Sequence, residues 1–259
     1  DFDETEIVCG SGARLRADIL VFVSSGHMLD SLVCIEISGV LHVSNSLPCI
    51  LASTDTDIDP TYAKYYEDFY AVRVGKSGNT GKPSTSKGGL TFILFDNLKR
   101  SKSGWHIQEK SKNYQAFGSF DDYSHFLHQS MSRLAQNLRA PERSFGYEMI
   151  STTSSGYDSS TVPVIAAQHE CSQTLSFTKT HTGASDSGEI VARQLGLYVQ
   201  YISGVDWKTE PLAEVPFLAA NTMGEEVRFQ AAKELSRGEV LFTGYHGDKV
   251  WAKDQKAVA

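Results

Sequence analysis

Two short stretches of the chain combine residue types that can do chemistry. The first is Ser154-Ser155-Gly156-Tyr157-Asp158-Ser159-Ser160. Small residues let a backbone turn tightly and aim several N–H groups at one anion. A helix starting just beyond adds the positive end of its dipole, worth about 0.3–1 kcal/mol per charge. The hydroxyls of Ser154, Ser159 and Ser160 can donate to phosphate oxygens. Asp158 cannot meet phosphate favourably by itself, but it can do so through magnesium. On these residues alone, a phosphate cradle and a tight turn with an N-cap serine both stay open. The second stretch is Thr243-Gly244-Tyr245-His246-Gly247-Asp248-Lys249. It follows the same grammar, glycines and then an aspartate at a helix start. Alone, Asp248 reads as a plain N-cap. Together the two loops place Asp158 and Asp248 where one metal ion could meet both, and His246 is the candidate acid–base group.

Other constellations carry less. Gly75-Lys76-Ser77-Gly78-Asn79-Thr80-Gly81-Lys82-Pro83 invites comparison with a Walker A loop. That motif needs four residues between its glycines and a Ser or Thr after its Lys. Here five residues separate Gly75 from Gly81, and Pro83 follows Lys82. The segment through Gly89 therefore reads as a mobile hairpin loop. His125 and His128, with Asp121 and Asp122, lie one turn apart on an expected helix. With no third ligand group in view they read as a solvated or capping face. His169 and His181 are isolated in sequence. Cys9, Cys34, Cys49 and Cys171 form no Cys-x-x-Cys pair, which removes zinc-ribbon and thioredoxin readings and suits a reducing compartment, here the cytoplasm.

The elements that must position these residues change character near residue 118. Before it, Ile19–Val23, Leu32–Ile37 and Val40–Ser44 read as strands, the last two joined at Ser38-Gly39 as a hairpin. Asp59-Pro60 predicts a helix start, leading into an aromatic face of Tyr62, Tyr65, Tyr66, Phe69 and Tyr70. Leu90–Phe95 and Trp105–Gln108 complete a β-rich α+β N-terminal domain, residues 1–117. Residues 118–259 alternate. Helices are expected at Asp121–Leu138, Thr161–Glu170, Ser187–Leu195, Pro211–Asn221 and Gly224–Leu235. Strands are expected at Gly146–Thr152, Thr174–Thr178, Leu197–Ile202 and Glu239–Thr243. Strands separated by helices imply a parallel sheet flanked by helices, with ligands beyond the carboxyl ends of its strands.

A resemblance follows from these residues. Ser154-Ser155-Gly156-Tyr157-Asp158-Ser159 resembles the Ser-Gly-Gly-x-Asp-Ser pyrophosphate loop of the PP-loop ATP pyrophosphatases. Leu241 to Lys249 is similar to the Gly-Glu-Gly-x-Asp-Glu segment of the asparagine synthetases and β-lactam synthetases. Asp186-x-x-Glu189-x-x-Ala192 with Leu195-Gly196 matches a helix of that branch, and Leu175-Ser176-Phe177 falls where its second strand borders adenine. The resemblance covers roughly Phe120 to Trp251. It implies a Rossmann-like PP-loop fold and an ATP-dependent ligase. A carboxylate attacks the α-phosphorus of ATP, pyrophosphate leaves, and an amine takes the acyl group from the acyl-adenylate. It implies that Ser154, Ser155, Gly156, Ser159 and Ser160 cradle pyrophosphate, that Asp158 and Asp248 hold magnesium, and that Leu175, Ser176 and Phe177 line the adenine pocket. Gly244, Gly247, Asp248 and Lys249 form the second loop. Glu189 reads better as the capping-box partner of Asp186 than as a catalytic group.

The sequence also departs from that pattern. Ser155 stands where the family has its first glycine of the loop. Tyr245, His246 and Lys249 stand where it has Glu, Gly and Glu. The family's acceptor-side residues, including a catalytic Lys, lie beyond where Ala259 falls, so a further C-terminal segment or a partner subunit is expected to complete the reaction. The family often carries an N-terminal glutaminase domain opening on Cys; here the chain opens on Asp1, without an initiating Met, and the hairpins read as a degenerate remnant of that sandwich. The alternative is a non-catalytic nucleotide-binding or scaffolding relative. A tRNA-modifying PP-loop enzyme fits poorly with unpaired cysteines and acidic charge.

Composition sets the outer bounds. The 259 residues carry 24 Lys+Arg against 31 Asp+Glu, a net charge of −7, with 41% hydrophobic residues. That is globular composition, and the acidic balance argues against a nucleic-acid-coating surface. No apolar run approaches the roughly 20 residues of a membrane span, and the acidic first residues do not resemble the basic start of a signal peptide.

Overall fold

A computed structural model of the chain describes residues 2–5, 8–27, 30–64, 82–110, 115–178, 185–205 and 238–244. The chain divides into two compact units, the described residues up to Lys110 lying in one and those from Gln115 in the other. The architecture is mixed α/β, with antiparallel sheets in the first unit and one parallel four-stranded sheet with helices in the second.

In the first unit, strands β1 (Gly12–Arg16), β2 (Ile19–Val23), β3 (Leu32–Ile37), β4 (Val40–Ser44) and helix α1 (Leu47–Thr54) come first. The short pair β5 (Ser84–Thr85) and β6 (Gly88–Gly89) follows, then β7 (Thr91–Ile93), β8 (Asn97–Ser101) and β9 (Gly104–Gln108). They build an antiparallel sheet in the order β1-β2-β8-β9 and another in the order β4-β3-β7. Strand β3 explains the arrangement. Leu32, Val33, Cys34 and Ile35 are all buried in succession, which a strand shows only when both its faces are covered. Leu32 and Cys34 pack with Leu98, Phe22 and Trp105 of the other sheet, while Val33 and Ile35 pack with Ile50 and Leu47 of α1. The β3–β4 hairpin closes through Ser38 (φ 52°) and Gly39 (φ 78°), with Ile37 opposite Val40. Positive φ at both central residues is the primed turn that matches strand twist.

One expectation fails here. Asp59-Pro60 does not start a helix. The Asp59 carboxylate accepts from the backbone N–H and hydroxyl of Thr61, at 2.8 and 2.7 Å, and Tyr62 N–H returns to the Asp59 carbonyl. This is an Asx turn, which competes with helix for the same side chain. Residues 65–70 of the aromatic face lie outside the described residues. Among the described residues of the first unit the helix is α1, capped by the Ser46 hydroxyl, which accepts from Cys49 N–H at 3.2 Å. Of the expected hairpin loop, residues 75–81 lie outside the described residues, and β5 and β6 pair as a hairpin. Ser86 N–H donates to the Asp57 carbonyl, and Lys87 Nζ donates to the Thr54 carbonyl at 2.7 Å.

The second unit opens with α2 (Phe120–Leu138), capped by Ser119, with Asp121 and Asp122 in its first turn. Then come β10 (Glu148–Thr153), α3 (Tyr157–Ala166) continued by a 3-10 turn (Ala167–His169), β11 (Gln173–Phe177), α4 (Glu189–Gln194), β12 (Tyr198–Ile202) and β13 (Glu239–Phe242). The strands lie in the order β12-β11-β10-β13 and pair in parallel throughout. Met149 faces one core, with Ala135, Leu138, Ala166 and Cys171. Ile150 faces the other, with Leu175 and Ile202. Ser151, Thr174 and Ser176 are fully buried, as are Ala166 and Ala192 on the helices. Small side chains on strand and helix let the two layers approach closely. The expected helices at Pro211–Asn221 and Gly224–Leu235 lie outside the described residues. Helix α3 begins four residues earlier than Thr161, so Tyr157, Asp158, Ser159 and Ser160 form its first turn instead of a loop.

Candidate functional site

The strand order turns back on itself beside β10. The chain steps from β10 to β11 to β12 in one direction, then returns to place β13 on the opposite side of β10. In an open parallel sheet such a reversal leaves a crevice at the carboxyl ends of the two central strands, where ligands bind. Ser154–Gly156 follows β10, and Thr243-Gly244 follows β13. Both candidate loops therefore leave the sheet at the same place.

The loops also touch. A methyl group added at Gly244 would overlap the carbonyl of Asp158 and lie 2.7 Å from the Ser159 nitrogen. Only a glycine lets the second loop seat on the first turn of α3. Gly188, just before α4, is fitted in the same way. A methyl group there would overlap the Thr153 side chain and lie 2.7 Å from the Ser154 nitrogen, and the Gly188 N–H donates to the buried Ser176 hydroxyl at 3.1 Å. These are the positions where backbone crowding demands glycine. Gly156, the N-cap of α3, has an ordinary φ of −80°, and Ser155 is not in the left-handed region. The serine at this position is therefore accommodated without backbone strain.

The hydroxyls of this loop bond to the loop. Ser154 Oγ accepts from Gly156 N–H at 3.1 Å and shares a short bond with Ser159 Oγ. Ser159 Oγ lies 3.2 Å from the Gly156 carbonyl. Ser160 Oγ reaches the carbonyls of Ser154 and Gly156, at 3.0 and 2.8 Å. No side chain caps the first turn of α3. Its leading N–H groups are thus the donors that the turn offers an anion, reinforced by the helix dipole. Ser155 differs from its neighbours. Its N–H and hydroxyl both donate to Asp186 Oδ1, at 3.3 and 2.8 Å. The Thr153 hydroxyl, at the end of β10, is buried without a hydrogen-bond partner.

The remaining candidates divide. Leu175 is buried against Ile150 and Ile202, Ser176 holds Gly188, and Phe177 is half-buried at the carboxyl end of β11. Of this trio only Phe177 has side-chain surface left to border a ligand. His246, Gly247, Asp248 and Lys249 lie outside the described residues, so the pairing of Asp158 with Asp248 is not placed. Glu189 does not cap Asp186. It begins α4 and pairs with Arg193 one turn on, while Asp186 turns to Ser155. Among the described residues no three His, Cys, Asp or Glu side chains gather as a metal site. His125 contacts Gln129 at 2.8 Å, and His128 meets His169 at 3.3 Å. The second contact joins residues far apart in sequence, so spacing could not have found it. The Ser155–Asp186 and Gly244–Asp158 contacts escaped sequence reasoning for the same reason.

No family model and no curated protein matches the chain.

Proposed function

We propose that the second unit is a Rossmann-like PP-loop domain that binds ATP, and that the protein is an ATP-dependent, amide-bond-forming ligase of asparagine-synthetase type. The observation that carries this reading is the seat of Gly244 against Asp158 and Ser159. It joins two independently recognised loops at the reversal of strand order, where a nucleotide's phosphates would lie.

The chain's own residues supply three things. The first turn of α3 offers N–H donors to the pyrophosphate that leaves. The Ser154–Ser159–Ser160 hydroxyl network fixes the shape of the turn, so that the donors are set before substrate arrives. Phe177 borders the adenine. Asp158 fits a magnesium role: it stands in the same turn, and magnesium characteristically takes one or two carboxylates and completes its shell with phosphate oxygens and water. Bound there by Asp158 and Asp248, magnesium would offset the charge growing on pyrophosphate. The substrates are then ATP, a small-molecule carboxylate and an amine donor, with no nucleic acid or membrane among the partners. Among the described residues no helix is long and apolar enough to cross a membrane. Four free thiols support a reducing, cytoplasmic setting.

A second reading, a nucleotide-binding or scaffolding relative without catalysis, draws support from Asp186 occupying the donors of Ser155. Product analysis separates the two. Incubation with ATP, magnesium, ammonium and a panel of amino-acid and short carboxylates should yield AMP and pyrophosphate with at least one of them. Formation of ADP and phosphate instead would exclude adenylation. Tight ATP binding with no turnover on any carboxylate would favour the scaffold.

A further inference from the structure

We propose that Asp186 is a built-in counter-anion of the phosphate loop, holding the donors of Ser155 while the loop is empty and yielding them to an incoming phosphate. The proposal rests on the nucleotide-site reading above and adds a selectivity device to it.

The geometry has three parts. Two donors of one residue, the N–H and Oγ of Ser155, converge on a single carboxylate oxygen. The N–H belongs to the loop that leads into the first turn of α3, so the carboxylate competes there with a phosphate oxygen. The hydroxyl that makes the shorter bond exists only because this position is serine; a glycine there would leave one donor.

The second part is the mounting. Two residues beyond Asp186, Gly188 is fixed by its fit against Thr153 and Ser154 and by its bond to Ser176. The backbone on that side is therefore held, and release of the carboxylate is a side-chain rotation. Ser155 is exposed and Asp186 partly so, so water can take over the carboxylate as it leaves.

The third part is charge. A carboxylate at the loop repels an approaching anion and competes for its donors, and both effects weaken binding of a bare anion. For unit charges a few ångströms apart in a solvated site, this repulsion is worth about one decade in affinity. A magnesium-complexed nucleotide carries less net negative charge and meets less repulsion. Asp186 therefore favours the magnesium nucleotide over free phosphate and pyrophosphate.

Calorimetric titration with inorganic pyrophosphate, without magnesium, tests this on the wild type, Asp186→Asn and Ser155→Gly. Asp186→Asn keeps an acceptor oxygen and removes the charge, so it should bind pyrophosphate about tenfold more tightly, and the gain should shrink in high salt. Ser155→Gly removes the shorter bond and should gain less. The wild type should still bind a magnesium–ATP analogue. Unchanged or weaker pyrophosphate binding in Asp186→Asn, with the magnesium–ATP analogue still bound, would overturn the counter-anion role and leave the site reading standing. Failure of all three proteins to bind either ligand would overturn both.

Discussion

The fit of Gly244 is open to a sharp test, the substitution Gly244→Ala. The added methyl would overlap the Asp158 carbonyl and lie 2.7 Å from the Ser159 nitrogen. Both neighbours are backbone, held in the first turn of a helix, so neither can rotate aside as a long side chain would. Overpacking of this kind costs typically about 1–3 kcal/mol. The cost can appear in two ways. If the loops stay seated, it appears as lost stability, read from the midpoint of a urea melt with unchanged slope. If the second loop lifts away, it appears as weaker nucleotide binding, by roughly 5- to 150-fold at about 1.4 kcal/mol per decade. Gly146→Ala is the control. Its methyl would find only the Leu138 carbonyl, at 3.9 Å, and the position has no positive φ, so it should be neutral or slightly stabilising. Urea melts and analogue titrations of both variants complete the experiment. A Gly244→Ala protein matching Gly146→Ala in both stability and affinity would refute the reasoning that this glycine seats one loop on the other.

Further expectations follow from the same packing. Glu239 lies beside Glu148 in the β10–β13 register, with one carboxylate oxygen buried and without a partner. Burial first, and Glu148 second, hold its pKa above the ordinary glutamate value. Its ionised form therefore costs stability that is retained in acid and lost as pH rises through the raised pKa. Glu239→Gln should melt higher than wild type at pH 7, with the gain vanishing near pH 4; equal melting shifts at both pH values would contradict this. Ser38 sits at φ 52° before Gly39, a turn that favours Asn-Gly. Ser38→Asn should stabilise the first unit by a few tenths of a kcal/mol, measured by urea denaturation. Leu90 is fully buried in the α1 core, and Leu90→Ala should cost about 2–5 kcal/mol, enough to bring the urea midpoint down markedly.

Much of the fold was legible because burial writes itself into short runs. Ile19–Val23, Leu32–Ile37 and Val40–Ser44 were expected and found with those bounds. Strands β1 and β8 were not expected. Their sequences, GARLR and NLKRS, are rich in polar residues, and β1 is a largely exposed edge strand. Helix α1 was missed because Leu-Pro-Cys-Ile-Leu-Ala is too short to show a period. Asp59-Pro60 misled because a good N-cap is also a good Asx-turn residue, and local sequence does not decide between them. The loop at Ser154–Ser160 announced itself by composition. What fixes it did not, since Asp186 and Gly244 reach it only through tertiary structure. Of the two glycines that the site requires, Gly244 stood in the second candidate loop, whereas Gly188 lies outside both motifs that drew attention.

The most direct test of the nucleotide site is calorimetric titration with a non-hydrolysable ATP analogue, with and without magnesium, on the wild type and Asp158→Ala. Saturable binding that strengthens with magnesium, and loses that dependence in Asp158→Ala, is the predicted result. No binding at millimolar analogue in the wild type, or binding that ignores both magnesium and Asp158, would contradict a phosphate site at the meeting of these two loops.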